Sequence, residues 1–225
     1  MASAANILAQ LKAHSSRRNV EGMARFGMTA EKRLGVSVPV LRRIAKQTGK
    51  DHTLALTLWK TGIPEAMIVA SLIAVPEELT EKQMDAWVKD FNSWDVCDQV
   101  CMNLFDKSPF ARRKIIEWSR REEEYVKRAA FALIASLASH DKQAPDEDFI
   151  KFLPVIKRAA TDERNFVKKG VNWALRGIGK RNNRLNKAAI KTAKDIQRLD
   201  SRAARWIAAD AIRELENGQT QRRLW

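Results

Sequence analysis

Helix breakers are scarce in this sequence: six prolines and nine glycines in 225 residues. Cysteine is scarcer still. Cys97 and Cys101 stand four apart in one helical segment, which is poor geometry for a disulfide and too few ligands for structural zinc. Both read as small buried apolar residues, and their paucity suits a reducing, intracellular compartment. No apolar run approaches the roughly 18 residues that a membrane span needs. Alternating β-branched runs, the mark of a half-buried strand, are also missing. His14, His52 and His140 are scattered without HExxH or triad spacing, and there is neither a glycine-rich phosphate loop nor a GxSxG elbow. The usual metal and nucleophile mechanisms find no support, and neither a metal nor an organic cofactor is expected.

What the chain has is positive charge. Lys and Arg number 41 against 27 Asp and Glu, for a formal net charge of +14 and a pI near 10.1. Such a surplus favours nucleic acid or another anionic surface as partner. Acid is wholly absent from residue 164 to residue 194, which holds ten basic residues: Arg164, Lys168, Lys169, Arg176, Lys180, Arg181, Arg184, Lys187, Lys191 and Lys194. Within it Lys169, Trp173, Arg176 and Lys180 follow at intervals of four, three and four, one stripe on a helix. A solvated helix face usually mixes signs. A basic stripe interrupted by a tryptophan reads as a phosphate-tracking surface with an aromatic contact, although tryptophan at helical spacing is as often core.

Helical punctuation runs the length of the chain. The N-terminal residues are Ala/Ser/Arg-rich and acid-poor, as in a presequence, but Ile7, Leu8 and Leu11 make them read as a first helix. Leu41, Ile44 and Ala45 form a stripe after Pro39. Pro64 opens a helix that Pro76 ends, Thr80 and Gln83 make a capping box, and Ser108-Pro109 starts a helix with Ile115 and Trp118. Residues 146–160, 166–178 and 201–215 each show i, i+3, i+4 apolar spacing. Val126-Lys127-Arg128-Ala129 returns as Val167-Lys168-Lys169-Gly170, 41 residues later, and more loosely at Arg205-Trp206-Ile207-Ala208. Spacing near 40 predicts an all-α, HEAT-like (armadillo-type) solenoid with a concave basic face, residues 1–225 forming one domain.

One short segment points to chemistry. In Ser93-Trp94-Asp95-Val96-Cys97-Asp98, Ser93 suits an N-cap and Asp95 the positive end of the helix dipole. Asp98 lies a turn further in, where capping does not explain it, and one turn from Trp94. Taken alone, such an Asp is more often a solvated or ion-paired residue and such a Trp is more often packing. An acid beside an aromatic wall in a cationic protein suggests a site that handles a cation on a polyanion.

These residues resemble the AlkD family of DNA alkylation repair proteins, HEAT-like glycosylases that excise N3- and N7-alkylated purines. The resemblance begins near Gly22-Met23-Ala24-Arg25-Phe26 and runs to the last helices. Trp94 and Asp98 match the family's tryptophan and catalytic aspartate in its WDxxD run. Arg128 matches its arginine, and Trp173, in Asn172-Trp173-Ala174-Leu175-Arg176, its second tryptophan. The chain departs at Phe26, where some members have tyrosine.

The resemblance implies a monofunctional glycosylase acting in base excision repair on duplex DNA that contains alkylated purines, probing the lesion without full base flipping. Asp98 would stabilise an oxocarbenium-like sugar and position water, Trp94 and Trp173 would present π faces, and Arg128 would hold a backbone phosphate. Lys168, Lys169, Arg176, Lys180, Arg181 and Arg184 would carry duplex affinity. A monomer in the cytoplasm, associated with the nucleoid through DNA and not with a membrane, is expected. A non-catalytic protein binding damaged or branched DNA is the alternative. A protein–protein scaffold suits the acid-free segment less well.

Overall fold

The computed structural model describes residues 3–224; Met1, Ala2 and Trp225, the ends of the expected single domain, lie outside them. Every regular element among the described residues is helical. They fall into two compact units, one up to Phe110 and one from Ala111 onward.

The first unit contains α1 (Ala4–Ala13), α2 (Arg17–Ala24), α3 (Val38–Thr48), α4 (His52–Trp59), α5 (Pro64–Ile73), α6 (Glu81–Lys89) and α7 (Trp94–Asn103). The N-terminal segment is a helix that buries Ile7 and Leu11. Leu41, Ile44 and Ala45 form the buried stripe of α3, and the Thr80–Gln83 capping box opens α6. Helix α5 starts at Pro64 but ends at Ile73, before Pro76 begins a short 3-10 turn. Trp59 of α4 stacks on Trp87 of α6 with ring centroids 3.8 Å apart, and its indole N–H donates to Asp90 at 2.7 Å. Helices α3 and α5 run side by side in the same direction. Residues before α3 meet Glu65 at the start of α5, while Lys50 Nζ, just past α3, donates to the Leu72 and Ala74 carbonyls at its end.

The second unit contains α8 (Ala111–Trp118), α9 (Glu124–His140), α10 (Asp146–Ile150), α11 (Leu153–Ala159), α12 (Asn165–Gly179), α13 (Asn183–Gln197), α14 (Arg202–Leu215) and α15 (Gly218–Gln221). The continuous helix expected over 146–160 is broken in two. Pro154 sits in the first turn of α11, where a missing N–H costs nothing, and the chain bends through Lys151 and Phe152 to place it there. Helix α8 begins two residues beyond Pro109.

The sequence repeat has a direct spatial counterpart. Helices α9, α12 and α14 pack as neighbours in parallel, because contacts rise together along both chains. Arg128 meets Phe166 and Gly170, Ala135 meets Gly177, and Arg181 meets Ala138. On the other side Lys168 meets Trp206, Asn172 meets Asp210 and Arg176 meets Glu214. Small residues permit this closeness: a Cβ added at Gly177 would lie 3.4 Å from the Ala135 Cα. The fold is all-α and HEAT-like.

A buried acid organises the loop before α3. Glu65 is 1% exposed, and its carboxylate accepts N–H groups from Leu34 at 3.1 Å and Gly35 at 2.7 Å. Gly35 takes φ +77°, and a Cβ there would lie 2.3 Å from the Ser16 carbonyl oxygen. Gly35→Ala is therefore expected to destabilise the protein by at least about 2 kcal/mol, from left-handed strain and backbone overlap together. Urea denaturation measures it; a change below about 0.5 kcal/mol would mean the loop relaxes freely.

Candidate functional site

Trp94 is the first residue of α7 and Asp98 lies one turn on; both are half-buried. The buried face of the same helix seats Val96, Cys97, Val100 and Cys101 in the core. Burial pushes the Cys101 thiol well above its ordinary value, and hydrogen bonding to Cys97 with the negative charges of Asp98 and Asp106 push the same way. Both cysteines are free, buried thiols.

Ser93 occupies the N-cap position, but its side chain does not cap the helix. Its hydroxyl donates to Asp95 and accepts from the Thr29 N–H at 3.3 Å and from Arg33 Nη2 at 3.3 Å. Asp95 likewise does more than face the helix dipole. Arg33, whose side chain is 2% exposed, grips both Asp95 carboxylate oxygens at 2.8 and 3.0 Å and donates from Nε to the Thr29 carbonyl at 2.6 Å. The Trp94 indole N–H donates to the Phe26 carbonyl at 3.0 Å. The 26–33 loop thus clamps the start of α7. Phe26 itself is 74% exposed. No periodicity joins Arg33 to Asp95, 62 residues away, so this clamp was not visible in the sequence.

Arg128 and Trp173 lie in the second unit, on α9 and α12. Arg128 is 5% exposed, and its Nη1 donates to the Phe166 carbonyl at 2.6 Å, against the backbone of Gly170. Trp173 is half-buried and does not belong to the core. It walls a cleft of about 710 Å³ whose floor is Ala135, Ala138 and Gly177, with Ser139, Lys142, Lys180, Arg181 and Asn182 around it.

The basic stripe is acid-free along the chain but not in space. Arg176 and Lys180 both pair with Glu214 of α14, and Arg176 lies 3.6 Å from Asp210. Arg184 pairs with Glu147 at 2.7 Å. Arg181 serves the fold. It donates to the carbonyls of Ala138 and Asp141 at 2.8 Å and lies over the Phe149 ring at 4.0 Å, and burial lowers its pKa. Lys168 lies over the Trp206 ring, and exposed Lys169 makes no ion pair among the described residues. Of the six residues expected on DNA, these last two keep their charge clear of carboxylates. Among the described residues no group of three His, Cys, Asp or Glu side chains is placed to hold a metal ion, and no helix is long and apolar enough to cross a membrane.

Glu214 carries a pH signature. Burial alone would raise its carboxyl, but hydrogen bonds from Lys180 and Arg176 outweigh it and hold the group below the usual carboxylate range. A carboxyl depressed in the fold stabilises above its unfolded value, and that contribution is lost as pH falls through the folded one. Wild type is expected to exceed Glu214→Gln in urea midpoint at pH 7. The gap should close as pH falls below the ordinary carboxylate value, about 4.3, through the lower value that Glu214 has in the fold. A gap that stays constant with pH would show the pair to be electrostatically idle.

A family model described as "DNA alkylation repair enzyme" matches residues 7–215. A solved structure described as "a new family of proteins related to the HEAT-like repeat DNA glycosylases with affinity for branched DNA structures" superposes with a TM-score of 0.78, covering 95% of each chain at 20% identity. At that identity the likeness establishes the fold. A designed armadillo repeat protein aligns over 83% of this chain and 79% of its own at 15% identity, with a TM-score of only 0.38. No curated protein matches the chain. Matched by the family model over nearly its whole length, the chain belongs to the DNA alkylation repair enzyme family.

Proposed function

We propose that the protein is a monofunctional DNA glycosylase, acting as a monomer, that hydrolyses the N-glycosidic bond of cationic N3- or N7-alkylated purines in duplex DNA. One observation carries the reading: Asp98 stands half-buried, one turn from the half-buried Trp94, on a helix whose start is locked by the Arg33–Asp95 clamp. Membership of the repair family and the presence of Arg128 and Trp173 support it.

The chemistry asks little of acid catalysis. Alkylation already makes the purine a cationic leaving group, so the bond from C1′ breaks with its electron pair going to the base, which departs neutral. The cost lies in the positive charge that grows on the sugar. Asp98, acting as a carboxylate, stabilises that charge and orients a water. The water oxygen bonds to C1′, and its proton goes to Asp98 or to solvent. Trp94 and Trp173 offer π faces to the cationic lesion and its sugar. Arg128, mostly buried and anchored on the Phe166 carbonyl, would meet a lesion-strand phosphate with the small part of its side chain left exposed. Lys168 and Lys169 add sequence-independent affinity; Arg176, Lys180 and Arg184 must share their charge with Glu214, Asp210 and Glu147. The base stays largely stacked instead of entering an enclosed pocket.

A second reading, a non-catalytic protein that binds damaged or branched DNA, is favoured by the relative whose description names affinity for branched DNA. Release of 7-methylguanine from methylated duplex DNA separates the two. Wild type is expected to release it. Asp98→Asn should lose about 10²- to 10⁴-fold in rate, with unchanged affinity for an abasic duplex. Absence of release by wild type that still binds abasic DNA tightly would leave the binding reading.

A further inference from the structure

Trp206 is one of two large hydrophobic side chains of the described residues that stand exposed, at 41%. It lies in the first half of α14, on a helix that buries Ala203, Ala204, Ile207, Ala208 and Ala211. Trp206 lies on the solvent side of that helix, opposite its buried residues. Its surroundings are cationic. The Lys168 ammonium lies 5.1 Å from the ring centroid, and Lys169, Arg202 and Arg205 are exposed nearby in sequence on the same two helices. Two acids answer them. Asp200 pairs with Arg205 at 3.3 Å, and Glu163 is occupied by the Ser201 hydroxyl and the Ala203 N–H at the start of α14.

The two ends of the seam between α12 and α14 therefore differ. Toward the C-terminal ends, Asp210 and Glu214 neutralise Arg176 and Lys180. Toward the N-terminal ends, an exposed indole sits among lysines and arginines in excess over acids. A cationic surface with an open aromatic ring suits an unstacked nucleotide: the base lies on the ring while its phosphate meets the cations.

We propose that Trp206, with Lys168 and Arg202, forms a stacking site for an unpaired nucleotide of a DNA strand. Lys168 covers the ring in the free protein, but an exposed cation–π contact is weaker than a base–aromatic stack. An arriving base displaces the flexible lysine, and the ammonium moves to the nucleotide's phosphate. The site draws on neither Asp98 nor Trp94. It rests on the reading that this protein binds DNA and not on its excising a base.

The test is fluorescence anisotropy with two labelled DNAs of one sequence, a blunt duplex and the same duplex with a short single-stranded overhang. Wild type should prefer the overhang. Trp206→Ala should lose about tenfold on the overhang DNA and less than twofold on the blunt duplex, while Trp206→Phe should retain most of the preference. Lys46→Ala, at an exposed position of α3, should leave the preference intact. An unchanged preference in Trp206→Ala, or an equal loss on both DNAs, would overturn the stacking site. Failure of wild type to bind either DNA would overturn it through the DNA-binding reading itself, a result distinguishable because no variant is then informative.

Discussion

Everything in the second unit depends on how closely α9 and α12 can approach. From Arg128 to Ala138 every residue of α9 is buried, so that helix has no solvent face along most of its length. This is possible because alanines dominate it and because Gly170 and Gly177 face it from α12. Parallel helices at such separations pack backbone against small side chains, and one methyl group is felt. Two consequences reach the candidate site. Arg128 is buried and must find a partner inside the protein, which the Phe166 carbonyl supplies. Trp173, on the same α12 but turned out of the contact, is left with a floor of Ala135, Ala138 and Gly177 beneath a cleft. The small residues that let the helices pack are the ones that leave room beside the indole.

The same repeat geometry explains why charge read along the chain misleads. Ten basic residues without an acid look like an uninterrupted cationic face. In a helical repeat, however, a residue's nearest charges come from the next helix, 38 positions on. That register brings Asp210 to Asn172 and Glu214 to Arg176. Part of the surplus survives where the neighbouring helix offers few carboxylates, as around Lys168, Lys169 and Trp206. Net charge is a sound argument about the class of partner and a poor one about where that partner lies.

What was legible in the sequence was local or periodic. The Thr80–Gln83 capping box, the buried stripe of α3 and the extents of α12 and α14 could be read because propensity, spacing and caps agree there. The family could be read because Trp94, Asp98, Arg128 and Trp173 occur in the right order. The break between α10 and α11 was missed because apolar spacing continues across it, and only Pro154 signals the restart. Ser93 matched the identity of an N-cap while its hydroxyl was committed elsewhere. The Arg33 clamp, the pinning of Arg181 and the exposure of Trp206 all arise from contacts between distant segments, for which one sequence holds no periodic signal.

In the glycosylase reading, the clamp bears on catalysis through preorganisation. A carboxylate that must stabilise a developing cation is effective in proportion to how little it has to reorganise as the charge appears. At its start α7 is held by Arg33, Thr29 and the Phe26 carbonyl, and at its end Asn103 donates to Ser71 at 3.1 Å. Between them Val96, Cys97, Val100 and Cys101 fill the core. The backbone under Asp98 is thus restrained from both ends and from one side, leaving only two side-chain torsions to set the carboxylate. In the glycosylase reading, that restraint explains an otherwise expensive arrangement: a buried arginine and a largely buried aspartate, whose pairing typically contributes little net stability once desolvation is counted. A helix that merely needed to fold could have replaced Arg33 and Asp95 with apolar residues at little loss. A helix that must hold an acid in register against a charged sugar gains from a bidentate grip that permits one geometry.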